Sequence, residues 1–131
     1  MPRPKIMIVD DDERYLELLD FMLTTAGYEV VSEKNPREVQ KRAEQSLPDV
    51  IILDMAMPEL DGIAVGMNLK SEVRTRDIPV IYVTAMSDSA GIREAMSIGA
   101  AKYLTKPFTP VELMDAIRHT LASRSVEGAQ R

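Results

Sequence analysis

Val50-Ile51-Ile52-Leu53-Asp54 is the stretch on which the fold turns: a run of apolar residues, mostly β-branched, closed by an acid. Such a run is apolar on both faces, as buried parallel strands are. Ile6 to Val9 and Val80 to Val83 repeat the pattern, and weaker runs at Glu29 to Ser32 and Ala101 to Leu104 complete a set of five strand-like segments.

Helical patterns fill the intervals. Tyr15, Leu18, Leu19, Met22, Leu23 and Ala26 follow i, i+3, i+4 spacing, and Gly27 is a natural stop after them. Asn35-Pro36-Arg37-Glu38 reads as an N-cap, a proline at the first helical position and an acid two further on. Thr109-Pro110-Val111-Glu112 repeats that device before a last helix carrying Leu113, Ile117 and Leu121. Gly62 to Val73 and Ser89 to Ile98 take the two remaining helical slots, the second weakened by Gly91. The order is (βα) five times, which implies an α/β domain with a doubly wound parallel sheet covered by helices on both faces. Five such units favour the flavodoxin-like strand order 2-1-3-4-5. Residues 1–122 are expected to form one domain, and the polar 123–131 a C-terminal tail or the start of a linker.

Composition narrows the function. The chain has 131 residues, is 45% hydrophobic and has no cysteine, so disulfide scaffolds, thiol catalysis and cysteine-ligated zinc are excluded. No apolar run is long enough for a membrane span and no signal peptide is expected, which leads to a cytoplasmic expectation. A net charge of -5 argues against direct, sequence-independent nucleic-acid binding.

The informative polar residues stand at strand ends. Asp10 and Asp11 follow the first strand, Asp54 the third and Thr84 the fourth, while Lys106 comes two residues after the fifth. In a parallel sheet all of these ends lie on one edge, where open α/β folds bind ligands. Converging carboxylates repel and need a cation, and all-oxygen ligation suits Mg²⁺. Lys106 can pair with an anionic oxygen and Thr84 can donate to another. Carboxylate, metal, ammonium and hydroxyl are together what in-line phosphoryl transfer to an aspartate requires.

The motifs around these residues resemble those of response-regulator receiver domains over roughly residues 5 to 122. Val9-Asp10-Asp11-Asp12 looks like the acidic pair, and Asp54-Met55-Ala56-Met57-Pro58-Glu59-Leu60-Asp61-Gly62 resembles the phosphoacceptor loop. Val83-Thr84-Ala85 and Tyr103-Leu104-Thr105-Lys106-Pro107-Phe108 resemble the two switch segments. The resemblance implies that Asp54 accepts a phosphoryl group from a histidine kinase or histidine phosphotransfer protein. It implies Mg²⁺ held by Asp11, Asp54 and the backbone carbonyl of Ala56, with Asp10 helping through water. It also implies a cis Lys106-Pro107 bond and a switch in which Thr84 and Tyr103 move inward. The surface of the fourth helix, fifth strand and fifth helix would then meet an unknown output protein or domain, or a second copy in a homodimer. Ala56 and Met86 occupy positions that in the family influence water access, and neither side chain can orient a water, so slow loss of the phosphoryl group is expected.

Other readings compete. Asp12 caps the first helix and Asp61 the third, rather than binding metal. His119, the only histidine, is expected on the surface, and the methionines flanking the motif loops are read as flexible filler. A Mg²⁺-dependent phosphatase with Asp54 as nucleophile is the alternative function, but it wants a second acid where Ala56 stands. A flavodoxin-like cofactor binder would want a phosphate-cradling loop where three aspartates follow the first strand.

Overall fold

The computed structural model describes residues 3–55, 62–85, 93, 96, 97 and 99–129, with backbone alone for 85 and 124–129. Its strands are β1 (Lys5–Val9), β2 (Glu29–Glu33), β3 (Val50–Asp54), β4 (Val80–Ala85) and β5 (Lys102–Lys106). They pair in parallel in the order β2-β1-β3-β4-β5, the expected doubly wound arrangement. The helices are α1 (Glu13–Thr25), α2 (Val39–Ser46), α3 (Gly62–Ser71) and a C-terminal helix (Pro110–Ala129). Among the described residues no helix is long and apolar enough to cross a membrane. Of the slot at Ser89 to Ile98, Arg93, Met96 and Ser97 are helical, and the rest, Gly91 included, lies outside the described residues.

Alternation along the strands explains why β1 is apolar from Ile6 to Val9 and β3 from Val50 to Leu53. Met7, Val9, Ile51 and Leu53 face α2 and α3, packing with Val39, Ala43, Ile63 and Leu69. Ile6, Ile8, Val50 and Ile52 face the other way, against Leu16, Leu19 and Leu23 of α1 and Leu113 and Ile117 of the C-terminal helix. With a helix on each side, no position of β3 is left for a polar residue until Asp54. Each buried Ile or Leu there contributes about 1.5–3 kcal/mol relative to an exposed one.

The caps follow the sequence closely. Asp12 accepts from the backbone N–H of Arg14 (3.0 Å) and Tyr15 (3.4 Å) at the start of α1. Gly27 takes φ +100° after its end, a conformation that a side chain would disfavour. Thr109 and Glu112 cap each other reciprocally, both bonds at 3.1 Å.

Several boundaries differ from the sequence reading. Asn35 and Pro36 open a 3-10 turn (Pro36–Glu38), and α2 begins only at Val39, a common way for a helix to start. Helix α3 ends at Ser71 rather than Val73: the buried Thr75 donates its hydroxyl to the Leu69 carbonyl (2.7 Å) and turns the chain away. Strand β5 runs to Lys106 instead of stopping at Leu104, because backbone pairing with β4 continues to Ala85↔Lys106. Lys106 therefore ends β5 instead of trailing it by two residues. The C-terminal helix stays helical past Ser123, where the apolar spacing stops, to Ala129.

Candidate functional site

Strands β1 and β3 are neighbours, yet their connections depart in opposite directions, α1 toward β2 and α3 toward β4. This leaves a crevice at their carboxyl ends. Asp10 and Asp54 stand in it, 3% and 7% exposed, with Asp11 exposed beside them. One oxygen from each of the three lies within 4.8 Å of the others. Asp10 is fixed from two sides: its Oδ1 accepts the Asp12 backbone N–H (3.0 Å), and its Oδ2 accepts from the Lys106 ammonium (3.1 Å). The same ammonium reaches Asp54 Oδ2 at 3.5 Å.

Three carboxylates stand against one ammonium, so the formal charges of these four groups do not cancel. Buried carboxylates are costly unless balanced. The donor set is oxygen only, close-set and partly open to solvent through Asp11, which fits a hard divalent cation that keeps some of its water. Lys106 records the same imbalance. Desolvation works against its charge, but the hydrogen bond to Asp10 and the charges of Asp54 and Asp10 outweigh it, holding its pKa above the ordinary lysine value.

The loop after Asp54 is tied at its ends. Met55 donates its backbone N–H to the Val83 carbonyl (2.9 Å), and the Gly62 N–H donates to the Met55 carbonyl (3.1 Å). A Cβ on Gly62 would stand 2.5 Å from the Asp54 carbonyl oxygen, so only glycine allows α3 to start this close to the acid. Residues between these anchors, Ala56 and Asp61 included, lie outside the described residues, as does Met86.

The remaining expected residues fall as follows. Thr84 is buried in β4, one residue beyond Val83, the partner of Asp54 in the ladder. Tyr103 lies within β5 and is exposed. The Lys106-Pro107 bond is cis. His119 is exposed on the C-terminal helix, away from the acids.

One residue at the site was read from the sequence only as part of the apolar stripe of α1. The Lys106 ammonium lies 4.4 Å from the centre of the Tyr15 ring. Phe108 meets the same ring edge-on, centroids 6.2 Å apart at 65°. Burial pushes the Tyr15 phenol up; Lys106 pulls it down and Asp10 and Asp54 push it up, with a net rise. The available signal was position: an aromatic in the first turn of a helix leans back toward the N-terminus, here over the acidic loop.

Comparison with known proteins shows the family. The family profile described as response regulator receiver domain matches residues 6–118. The chain belongs to the response-regulator receiver family. This receiver domain is 37% identical over 119 residues to a probable transcriptional regulator, ycf27, of Guillardia theta, covering 91% of the chain and 46% of that protein. A putative response regulator from Chloroflexus aurantiacus has a similar solved structure (33% identity, TM-score 0.86, 93% of this chain and 99% of that one). So does the Vibrio cholerae chemotaxis protein CheY4 (28% identity, TM-score 0.86, 91% and 99%). The chain thus spans about half the length of the first curated relatives that it matches. Its family role is that of a phosphoacceptor switch in two-component signal transduction.

Proposed function

We propose that Asp54 is the phosphoacceptor of this switch and that Asp10, Asp11 and Asp54, with the backbone carbonyl of Ala56, serve a Mg²⁺ ion. The observation that carries this reading is the convergence of three carboxylates within 4.8 Å, two of them bridged by Lys106. When bound, the ion offsets the charge of the carboxylates and of the incoming phosphoryl oxygens. An Asp54 carboxylate oxygen attacks phosphorus in line. The bond from phosphorus to the donor nitrogen of a phosphohistidine breaks, its electron pair stays on the imidazole, and that nitrogen takes a proton from water. Lys106 pairs with one phosphoryl oxygen and the Thr84 hydroxyl donates to another.

The donor is a histidine kinase or histidine phosphotransfer protein, and a cytoplasmic location goes with a donor that is charged from ATP. Turnover is limited to the chain's own phosphoryl group, which makes it a switch and not an enzyme acting on free substrates. Nothing in the fold or the comparisons favours the phosphatase reading. Thr84 and Tyr103 transmit the change to the face that carries β5 and the C-terminal helix. That face meets an output partner or a second copy; the exposed Met96 and Tyr103 support this use. Residues 1–122 form the receiver and 123–131 a tail or linker, a division supported by Leu121 packing against the core. Ala56 and Met86 make loss of the phosphoryl group slow, so Ala56→Asn and Met86→Glu should speed its decay; unchanged or slower decay would count against this.

The test is incubation with Mg²⁺ and acetyl phosphate, read by intact mass. Wild type gains one phosphoryl group and Asp54→Ala gains none. Equal gain in both would defeat the assignment.

A further inference from the structure

We infer that Tyr15 is a positioning residue for phosphoryl transfer: its ring holds the Lys106 ammonium at the site when a cation takes over the carboxylates. The inference rests on the assignment of Asp54 and Lys106 above. In the structure Lys106 has two kinds of partner. One kind is the carboxylates of Asp10 (3.1 Å) and Asp54 (3.5 Å); the other is the face of Tyr15, 4.4 Å from ammonium to ring centre. This is well inside the range at which the negative face of an aromatic ring attracts a cation.

The two attractions respond differently to a metal. A divalent ion held by the same carboxylates cancels their charge and repels the ammonium. The ring has no formal charge to cancel, so its attraction persists. The ring is also held in place. Asp12 ties the Arg14 and Tyr15 N–H groups at the start of α1, which sets the first turn. Phe108, two residues beyond Lys106, braces the ring from its edge. A residue that served packing alone would need neither a face turned to Lys106 nor a place beside two acids.

The test uses the full chain as wild type, Tyr15→Phe, Tyr15→Leu and Tyr15→Met, the last keeping bulk should leucine unfold the domain. Carbon–proton NMR of the lysine ε-methylenes reads the contact directly, with the Lys106 signal identified by its loss in Lys106→Arg. Wild type and Tyr15→Phe should show this signal upfield of the other lysines, by ring current, before and after Mg²⁺ is added. Tyr15→Leu and Tyr15→Met should not. Phosphorylation by acetyl phosphate at saturating Mg²⁺ should slow roughly threefold to tenfold in the two aliphatic variants. Its half-saturating donor concentration should hold, and Tyr15→Phe should restore the rate. An ordinary Lys106 signal in wild type would overturn the inference, as would full rate in the aliphatic variants or a Tyr15→Phe protein as slow as they are. If wild type took up no phosphoryl group while Lys106 kept its shift, the assignment of Asp54 would fail, and Tyr15's role with it, although the contact itself would stand.

Discussion

At the amino end of the sheet Asp49 accepts the Lys5 backbone N–H at 2.7 Å, and the Lys5 ammonium donates to the Ser46 carbonyl at 2.8 Å. At the carboxyl end a single ammonium, that of Lys106, stretches between Asp10 and Asp54 while Asp11 stands beside them. At the first edge each of these charged groups has a neutral backbone partner. The second carries an excess of buried negative charge that the described side chains do not balance. Two lysines show the consequence. Lys70 donates to the neutral carbonyls of Arg76 (3.2 Å) and Ile78 (3.3 Å), and burial pushes its pKa down, with Asp77 only partly opposing. Lys106 is desolvated too, yet its acidic neighbours drive it up. Carboxylates kept close at a cost in repulsion mark an edge shaped for a ligand, whereas pairing to carbonyls marks one shaped for stability.

Four substitutions sharpen the contrast. Gly62→Ala should have the largest effect. Its Cβ would press on the Asp54 carbonyl at 2.5 Å and the Met55 Cα at 2.6 Å, both backbone atoms that cannot swing aside. A loss of roughly 3 kcal/mol in urea unfolding, with impaired phosphorylation, is expected; wild-type stability would mean that α3 does not hold the acid in place. Lys106→Ala should slow phosphorylation by acetyl phosphate on the order of tenfold to a hundredfold. A smaller change would place that edge's charge balance outside the reaction. Mg²⁺ at a hundredfold excess over its dissociation constant should stabilise wild type by about 2.7 kcal/mol. Asp11→Asn should lose most of that shift in a thermal melt, and an equal shift in both proteins would remove Asp11 from the cation site. Asp49→Ala should cost about 1 kcal/mol and leave phosphorylation unchanged; a slowed reaction there would show the two edges to be coupled.

Much of this was legible in the sequence, for identifiable reasons. Strands β1, β3 and β4 announce themselves because both of their faces are covered, so Ile6 to Val9, Val50 to Leu53 and Val80 to Val83 are apolar. Asp12, Asn35 and Thr109 announce helix starts because a short oxygen side chain is what an unpaired N–H needs. The end of β5 was hidden, since Thr105 and Lys106 are polar and only the ladder with β4 extends the strand to them. Leu47 was hidden too: it adopts φ +46° after α2 with no glycine or asparagine to signal it. At the site, the identities of Asp10, Asp11, Asp54 and Lys106 could be read from strand ends. That Lys106 lies nearer Asp10 than Asp54 could not, because side-chain reach across the pleat decides it. Nor could the ring of Tyr15 under that ammonium, since helical spacing assigns a residue to a face without saying what lies over it.

The most direct measurement is peptide mapping of the chain after acetyl phosphate treatment, once with Mg²⁺ and once with the metal chelated. The acyl phosphate is trapped by reduction so that its position survives digestion. A single modified residue, Asp54, is expected, and only when the metal is present. Modification at another acid, or equal modification of Asp54 without the metal, would contradict this assignment.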